Sequence, residues 1–184
     1  MPKYIAFLRA VNVGGHIVKM KDLRELFGSL GFTGVETVLA SGNVVFETKA
    51  GRPSGLERKI EACLGEALGY EVATFLRTDS EVAAIAAHRP FGDSELQSAV
   101  ALNVGFLSRP PDRASLRVIH GLRTEVDDFQ VRGREVYWLC RVRQSESAFS
   151  GATLERALGL RATSRGMKTI QRLAARCPQN EGSG

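Results

Sequence analysis

The sequence predicts an α+β protein made of two ferredoxin-like halves of the βαββαβ type, with mostly antiparallel sheets and helices packed on them. Two observations lead to this fold class. Over residues 1–78, short apolar strands alternate with amphipathic helices in the order β-α-β-β-α-β. Over residues 99–177 the same order returns loosely, although the two halves share no sequence identity.

The first half provides each element of that order. In its first helix, apolar side chains recur at helical spacing, and we expect Leu26 and Phe27 to be buried against the sheet. Gly-Asn between two apolar runs is typical of a hairpin turn. The predicted elements are strand Tyr4–Leu8, a helix from about Lys21 to Leu30, strands Val35–Leu39 and Val44–Glu47, a helix over Leu56–Leu68, and strand Glu71–Arg77.

Residues 79–98 are predicted to connect the halves, with a helix over Ser80–His88 that ends before Pro90. The second half, 99–177, is expected to hold strand Ala99–Leu107, helix Arg113–His120, the hairpin Glu125–Val131 and Glu135–Arg141, and helices Gly151–Leu158 and Ser164–Arg176. The pattern leaves open whether a last strand follows. The polar tail, 178–184, is expected to be disordered.

Composition narrows the class of protein. With 184 residues and 43% hydrophobic residues, the chain is typical of a soluble globular protein, and no apolar run approaches the length of a membrane span. Cys63, Cys140 and Cys177 are far apart and odd in number, which suits neither a disulfide framework nor a zinc site. We therefore expect no metal, no cofactor and no membrane partner, and a cytoplasmic location, because no signal-peptide pattern is present.

The charge is unevenly distributed. Residues 1–107 hold 11 Lys and Arg against 12 Asp and Glu, whereas residues 108–184 hold 14 against 8, and 13 of those 14 are arginine. This asymmetry favours an anionic partner. The alternative is that it reflects only the amino-acid usage of a GC-rich genome.

The stretch LRAVNVGGH places a glycine-rich loop between a strand and a helix. In a ferredoxin-like sheet this loop and the Ser41–Asn43 turn lie at the same edge, together with the N-terminus of the first helix, which attracts anions. The alternative is that the glycines and amides only shape a tight turn. The candidate anion-binding residues here are Arg9, Asn12, Gly14, Gly15, Lys19, Ser41 and Asn43.

A second set of candidates suits the phosphates of a nucleic acid. Arginines flank the corresponding loops of the second half, and a row of basic residues lies along one face of the predicted last helix. The alternative for both groups is that they are ordinary solvent-exposed surface residues without a ligand. The loop arginines are Arg109, Arg113, Arg132 and Arg134, and the helix row is Arg165, Lys168, Arg172 and Arg176.

Two other classes of function have weak support in the sequence. An RNA-recognition sheet needs exposed aromatic residues on its central strands, whereas adjacent Tyr137 and Trp138 point to opposite faces. Asp127 and Asp128 are likewise adjacent on a strand, which makes a poor acid–base pair. The sequence contains no Walker, dinucleotide-binding, serine-elbow or metalloprotease motif, so no catalytic residue is assigned.

The stretch YIAFLRAVNVGG, the later SGNVVF, Arg89–Phe91, and Thr163, Arg165 and Thr169 resemble the bacterial family of unknown function DUF1697. The resemblance extends over about the whole chain and implies a two-part α+β fold, but no activity. The chain departs from the family where Gly166, Met167 and Lys168 replace Asn-Trp-Asn. It also departs where Ser147, Ala148 and Phe149 align with Ser-Lys-Leu.

These observations lead to a function hypothesis with two alternatives. The first choice is non-catalytic binding of an anionic partner, either nucleic acid or a phosphorylated small molecule. The alternatives are an enzyme that acts on a small phosphorylated substrate and a protein–protein interaction module. The sequence identifies neither the ligand nor the protein partners.

Overall fold

The computed structural model describes residues 1–12, 15–39, 42–49 and 51–177. The chain divides into two compact units, one comprising residues 1–86 together with those from Gln171 onward, the other comprising 87–170. The first unit contains β1 (Lys3–Leu8), α1 (Met20–Ser29), β2 (Thr33–Val38), β3 (Asn43–Glu47), α2 (Pro53–Leu68) and β4 (Thr74–Thr78), followed by α3 (Asp79–Ala87).

The first sheet has the predicted ferredoxin-like order. Its strands lie in the order β2-β3-β1-β4, and every neighbouring pair is antiparallel. At the centre of the sheet, Ile5 lies opposite Val45 on one side and Arg77 on the other. Because β3 separates β1 from β2, the loop after β1 and the β2–β3 connection leave the sheet at the same edge.

One face of this sheet packs against α1 and α2. Tyr4, Ala6 and Leu8 from β1 share a buried cluster with Leu23 and Phe27, among other residues. The expectation for Leu26 was wrong, because this side chain is only partly buried at the margin of the cluster. The buried stripe of α1 is instead formed by Leu23 and Phe27, four residues apart and therefore one turn from each other.

The second unit repeats this topology in a sheet of order β6-β7-β5-β8, again fully antiparallel. Its buried cluster lies between the sheet and its helices and includes Leu107, Ile119, Trp138 and Leu154. The elements from Asp93 onward are α4 (Asp93–Ser98), β5 (Ala101–Leu107), α5 (Arg113–Gly121), β6 (Asp127–Arg132), β7 (Glu135–Cys140), a 3₁₀ turn (Gln144–Glu146), α6 (Gly151–Leu158), β8 (Ala162–Gly166) and α7 (Met167–Arg176).

The end of the chain differs from the sequence expectation. A last strand, β8, is present, and it occupies the first residues of what was predicted as one helix over Ser164–Arg176. The strand forms because these residues pair with the open edge of β5, where Arg165 lies opposite Val104. From Gln171 onward the chain belongs with the first unit, so the units do not follow the division at 99–177. The tail 178–184 is outside the described residues.

Candidate functional sites

The structure brings the loop after β1 and the β2–β3 connection together at one corner of the first unit, called the N-terminal corner here (8–12, 15–19, 39 and 42–43). The backbone N–H of Leu8 donates to the Gly42 carbonyl at 2.8 Å. Gly42 has φ +77°, and a Cβ there would lie 3.2 Å from both the Cβ and the carbonyl oxygen of Leu8. Only glycine permits so close an approach in this backbone conformation.

The amide side chains of this corner hold the chain in place. Asn43 begins β3 and is only 1% exposed, and its Nδ2 donates to the Val38 carbonyl at 3.0 Å. Asn12 is exposed, but its Oδ1 accepts the Val18 backbone N–H at 2.9 Å. Asn43 is therefore a buried structural residue with no face open to a ligand. It was expected in the turn, and it lies in the strand instead.

The other predicted anion-binding residues of this corner are placed differently. Arg9 is half-buried, whereas Gly15 and Lys19 are exposed. Lys19 is the N-cap of α1 and makes no side-chain capping bond. Gly14 and Ser41 lie outside the described residues. Exposed basic charge at the corner therefore comes from Lys19 and, in part, from Arg9.

The corner is more apolar than an anion-binding site predicted from the sequence. A shallow cleft of about 250 Å³, partly open to solvent, is lined by Val11, Asn12, Val18, Met20, Leu23, Thr37, Leu39, Gly42 and Asn43. Ile17 beside it is 85% exposed, and Met20 and Leu39 are 39% and 38% exposed. The signal available in the sequence was the run His-Ile-Val-Lys-Met, which places apolar residues in a loop.

Two residues of this corner have strained backbones. Ala10 and Leu39 have φ of +58° and +54°, although neither is glycine. The left-handed region is unfavourable for residues with a Cβ, and such strain often accompanies functional sites. Tyr70 holds the loop after β1 in place. Its hydroxyl donates to the Val11 carbonyl at 2.9 Å, and its ring stacks on the His16 ring with centroids 4.1 Å apart.

The second unit has an equivalent corner, called the arginine corner here (Arg109, Arg113, Arg132 and Arg134). The backbone N–H of Leu107 donates to the Arg134 carbonyl at 2.9 Å, so the β6–β7 turn lies beside the loop after β5. Arg109, Arg113 and Arg132 are exposed, and Arg134 is half-buried. The structure thus brings this predicted set to one edge of the sheet.

Asp112 is the acidic residue within the loop of the arginine corner. Its carboxylate caps α5 by accepting the Ser115 N–H at 2.7 Å. The pKa of Asp112 is lowered chiefly by hydrogen bonds from Ser115 and to a smaller extent by the charge of Arg109. The carboxylate is therefore occupied by the helix terminus.

The predicted basic row on the last helix is not continuous. Arg165 lies on β8 rather than on α7, and its Nη1 donates to Thr163 Oγ1 at 2.9 Å and to the Ser164 carbonyl at 2.8 Å. Burial lowers the pKa of Arg165 to about 10, so the guanidinium stays charged at neutral pH. Arg176 is on the helix but pairs with Glu36 at 3.5 Å.

Lys168 and Arg172 are exposed on α7. The spacing of 3, 4 and 4 residues predicted one helical face for four cations. Arg165 does not share that face, because it lies on β8 and α7 begins only at Met167. The prediction that these residues share one helix was wrong for Arg165.

The second unit contains a buried carboxylate that the sequence pattern does not indicate. Asp127 is 2% exposed, and it accepts hydrogen bonds from Trp138 Nε1 and from Ser147 Oγ, both at 2.7 Å. Ser147 Oγ also accepts the Phe149 N–H at 3.0 Å. Asp128 points away from this network and pairs with Arg123 at 2.8 Å. Asp127 therefore anchors the segment that leads into α6, and the two adjacent aspartates do not form an acid–base pair.

A histidine and a tyrosine of the second unit also have shifted pKa values. The rings of His88 and Tyr137 meet edge to face, with centroids 5.0 Å apart. Burial, and to a smaller extent the charge of Arg132, lowers the pKa of His88. Burial raises the pKa of Tyr137 to about 12. Both groups are therefore neutral at physiological pH.

Within the described ranges, no three His, Cys, Asp or Glu side chains come together as a possible metal site. The described cysteines, Cys63, Cys140 and Cys177, are free thiols. In the part of the chain that the structure describes, no helix combines the length and apolar character needed to cross a bilayer.

A family model described as "Protein of unknown function (DUF1697)" matches residues 1–137. The match ends before residues 147–149 and 166–168. Conserved bacterial protein SP0830 from Streptococcus pneumoniae has a similar structure, with a TM-score of 0.74 and 20% identity over 96% of this chain and 99% of that chain. A search of curated proteins found no match.

Proposed function

The chain belongs to the DUF1697 family, and we propose that it binds an anionic polymer, a nucleic acid, without catalysis, through the arginine corner. The observation that carries this proposal is the hydrogen bond between Leu107 and Arg134, which places two arginine-bearing loops side by side. Three of the four guanidinium groups there are exposed to solvent.

Arginine suits this role because its planar guanidinium donates two parallel hydrogen bonds to one phosphate. The backbone of the corner is fixed by the β6–β7 ladder, in which Arg132 lies opposite Glu135. The two loops that carry the cations are therefore held in fixed positions at this edge of the sheet. The carboxylate of the loop after β5, Asp112, is occupied by the cap of α5.

We expect this binding to be independent of base sequence. Phosphate contacts position a protein on nucleic acid without reading bases, and base stacking requires exposed aromatic side chains. Tyr137 and Trp138, the aromatic residues of β7, are buried. Lys168 and Arg172 are exposed and are available for additional phosphate contacts, whereas Arg165 is held by Thr163 and Ser164.

The test measures the affinity of the protein for labelled single-stranded and duplex oligonucleotides by fluorescence anisotropy at several salt concentrations. The variant carries Arg109→Gln, Arg113→Gln and Arg132→Gln. The matched control carries Arg58→Gln, Arg143→Gln and Arg156→Gln, three exposed arginines elsewhere with the same total charge change.

The corner variant should bind more weakly, and the slope of log affinity against log salt should fall by about 0.7–0.9 for each phosphate group that the protein no longer neutralises. The control should retain most of the affinity. Absence of binding by the unmodified protein at low salt would overturn the proposal, and equal losses in both variants would show that only net charge matters.

The small-molecule form of anion binding has less support. At the N-terminal corner, Asn43 is buried and Asn12 holds the loop, so Lys19 is the main exposed cation there for a phosphorylated ligand, with Arg9 half-buried beside it. An enzyme acting on such a substrate has no acid–base pair at this corner to support it.

A cytoplasmic location suits the proposal, since the described cysteines are free thiols.

A protein-contact role is the second candidate, and it is favoured by the exposed apolar side chains at the N-terminal corner. Ile17 is 85% exposed beside the cleft. We expect Ile17→Ser to abolish contact with a protein partner and Val100→Ser to leave it intact, since Val100 is a comparably exposed apolar residue in the other unit. Affinity purification with each variant as bait tests this, and equal recovery of partners by both would exclude the corner.

A further inference from the structure

Four strands lie at the edges of the two sheets, β2 and β4 in the first sheet and β6 and β8 in the second. The outer backbone N–H and C=O groups of an edge strand have no neighbouring strand to pair with, and proteins commonly protect them from other chains. Within the described residues, side chains occupy such groups on β4, β6 and β8, whereas on β2 they do not.

The edge at β4 is closed by carboxylates. Alternate N–H groups of β4, at Thr74, Leu76 and Thr78, point away from β1, and each donates to a glutamate at 2.8 or 2.9 Å. Two of the glutamates lie on α2 and one on α3. The acceptors are Glu61, Glu57 and Glu81 in that order.

The edges of the second sheet are protected in a similar way. On β6, the Phe129 N–H donates to Asp128 Oδ1 at 2.8 Å, and the Phe129 carbonyl accepts Arg123 Nη2 at 3.1 Å. On β8, the Ala162 N–H donates to Glu155 Oε1 at 2.9 Å. A chain that approached either strand would have to displace these side chains.

The open edge lies at Thr37 on β2. Alternate residues of β3 bond to β1 and to β2, and the bond from Leu8 to Gly42 fixes which residues do so. Asn43 therefore bonds to its partner Val38. The N–H and C=O of Thr37, the preceding residue, point away from the sheet. Within the described residues, no hydrogen bond reaches either group.

A β-bulge between Thr33 and Glu36 keeps this open stretch short. A bulge disrupts the ladder and bends the strand, so an added strand can pair with β2 only close to Thr37. Selectivity for a partner must therefore come from the side chains that lie around Thr37.

Arg24 on α1 lies beside the open edge. Its Nη1 donates to Thr37 Oγ1 at 3.2 Å, and the residue is exposed. No carboxylate pairs with this guanidinium in the described part of the chain. Directly opposite residues of neighbouring strands lie on the same face, about 5 Å apart. A carboxylate opposite Thr37 on an added strand would therefore reach Arg24.

The same face of β2 leads to the exposed apolar residues of the N-terminal corner. Thr37 and Leu39 both line the cleft there, together with Met20. Met20 and Leu39 are 39% and 38% exposed. Residues two apart on a strand lie on one face, so an apolar side chain two residues from that carboxylate would cover them.

We propose that β2 binds an extended segment of another protein as an added antiparallel strand, in which an apolar residue is followed two residues later by an acidic one. The acidic residue pairs with Arg24 and exchanges backbone hydrogen bonds with Thr37. The apolar residue covers Leu39. Because the added strand is antiparallel, the residue beside Leu39 precedes the one beside Thr37.

A second copy of this chain suits the edge less well. If two β2 strands paired about Thr37, the two Arg24 side chains would lie close together, and pairing about Glu36 would place two carboxylates opposite each other. Like charges at such positions are destabilising. The inference rests on the protein-contact candidate for the N-terminal corner, and it is independent of nucleic-acid binding at the arginine corner.

The probe for the experiment is the blocked heptapeptide acetyl-Thr-Thr-Leu-Thr-Glu-Thr-Thr-amide. It is titrated into isotope-labelled protein, and the backbone amide of Thr37 is followed by two-dimensional NMR. We expect this amide to shift with a Kd on the order of 1 mM. The peptide of reversed sequence has the same composition and charge, and it should bind roughly tenfold more weakly because it misplaces both side chains.

A second peptide tests the backbone pairing. N-methylation of its glutamate removes the N–H that donates to the Thr37 carbonyl and should weaken binding roughly five- to tenfold. In the protein, Thr37→Pro removes the outer N–H of the edge, which edge strands tolerate, and should abolish binding. Thr37→Val keeps that N–H and is the matched control, which should still bind.

The ion pair is tested by Arg24→Gln, which should weaken the probe roughly threefold. A peptide with glutamine in place of glutamate should bind this variant and the unmodified protein equally. Arg58→Gln, at an exposed arginine of α2, is the matched control and should bind the probe like the unmodified protein.

An unshifted Thr37 amide at millimolar probe would overturn the proposal, and so would equal affinity for the probe and its N-methylated form. Equal affinity for the reversed peptide would overturn the assigned order of the two side chains. If Thr37→Pro does not fold, the N-methylated peptide with the unmodified protein decides. If Ile17→Ser loses protein partners that Thr37→Pro retains, contact at the N-terminal corner stands and strand addition at β2 is excluded.

Discussion

The Nδ2 of Asn43 donates a hydrogen bond of 3.0 Å to the carbonyl of Val38, and this bond joins the two ends of the β2–β3 connection. The two residues lie opposite each other in the ladder, at the last position of β2 and the first of β3. The side chain thus holds the N-terminal corner in its observed conformation. Its position explains why an asparagine expected to contact ligand is buried.

Asn43→Ala should lower the free energy of unfolding by about 1–3 kcal/mol, because it leaves a buried carbonyl without its partner. Asn12→Ala, which removes an exposed bond to Val18, should cost less. Urea denaturation of both variants measures the difference. An equal cost would show that burial of Asn43 adds nothing to the strength of its bond.

Phe27→Ala should destabilise the protein by about 3–5 kcal/mol, the usual range for a fully buried aromatic residue. Phe27 contacts the edge of Phe46 at a centroid distance of 5.5 Å. Leu26→Ala, at the half-buried position next to it, should cost clearly less. Thermal melts of the two variants check the order, and a reversed order would mean that the helix face is misassigned.

Gly42→Ala should destabilise the first unit more than Gly31→Ala does. Both glycines have positive φ, so both variants are strained by about 1–2 kcal/mol. At Gly42 the added methyl also meets the Leu8 backbone at 3.2 Å, whereas at Gly31 it meets open space. Comparison of the two midpoints in urea isolates the cost of the close approach.

Tyr137 should make stability fall between about pH 10 and pH 12. Its pKa is 10.0 in an unfolded chain and about 12 in the folded one, because burial disfavours the phenolate. The stability that neutral Tyr137 contributes is therefore fully present below pH 10 and is lost as pH rises through the pKa of the folded state. Tyr137→Phe should flatten this decline relative to the unmodified protein, as measured by urea denaturation at each pH. Parallel curves for the two proteins would contradict the assignment.

The fold of the first unit was largely predictable from sequence because its strands and helices bury clear apolar stripes. The strand β8 was not, since Ala-Thr-Ser-Arg-Gly carries no apolar alternation and forms only by pairing with β5. Helix α4 buries no residue and gave no periodic signal. Where an element depends on a distant partner, local pattern cannot detect it.

The candidate sites, too, were predictable from the sequence only in part. The edges at which Arg109 and Arg134 meet follow from topology alone, and the sequence predicted them. The hydrogen-bonded network around Asp127 was not predictable, because an aspartate within a strand has no distinctive pattern. The network arises from Trp138 and Ser147, which reach the carboxylate from other elements.

The carboxylate of Asp127 has a consequence for the order of folding. It joins β6 to Trp138 on β7, only 11 residues away, and to Ser147, 20 residues away. Short loops close at lower entropic cost, so we expect the β6–β7 hairpin to form before the segment that carries Ser147 attaches. That segment then leads into α6 through Phe149, whose ring packs against Trp138 at 4.7 Å. In that order the hairpin is the template for the last helix-strand pair of the second unit, and Ser147→Ala should then raise the unfolding rate and leave the folding rate unchanged.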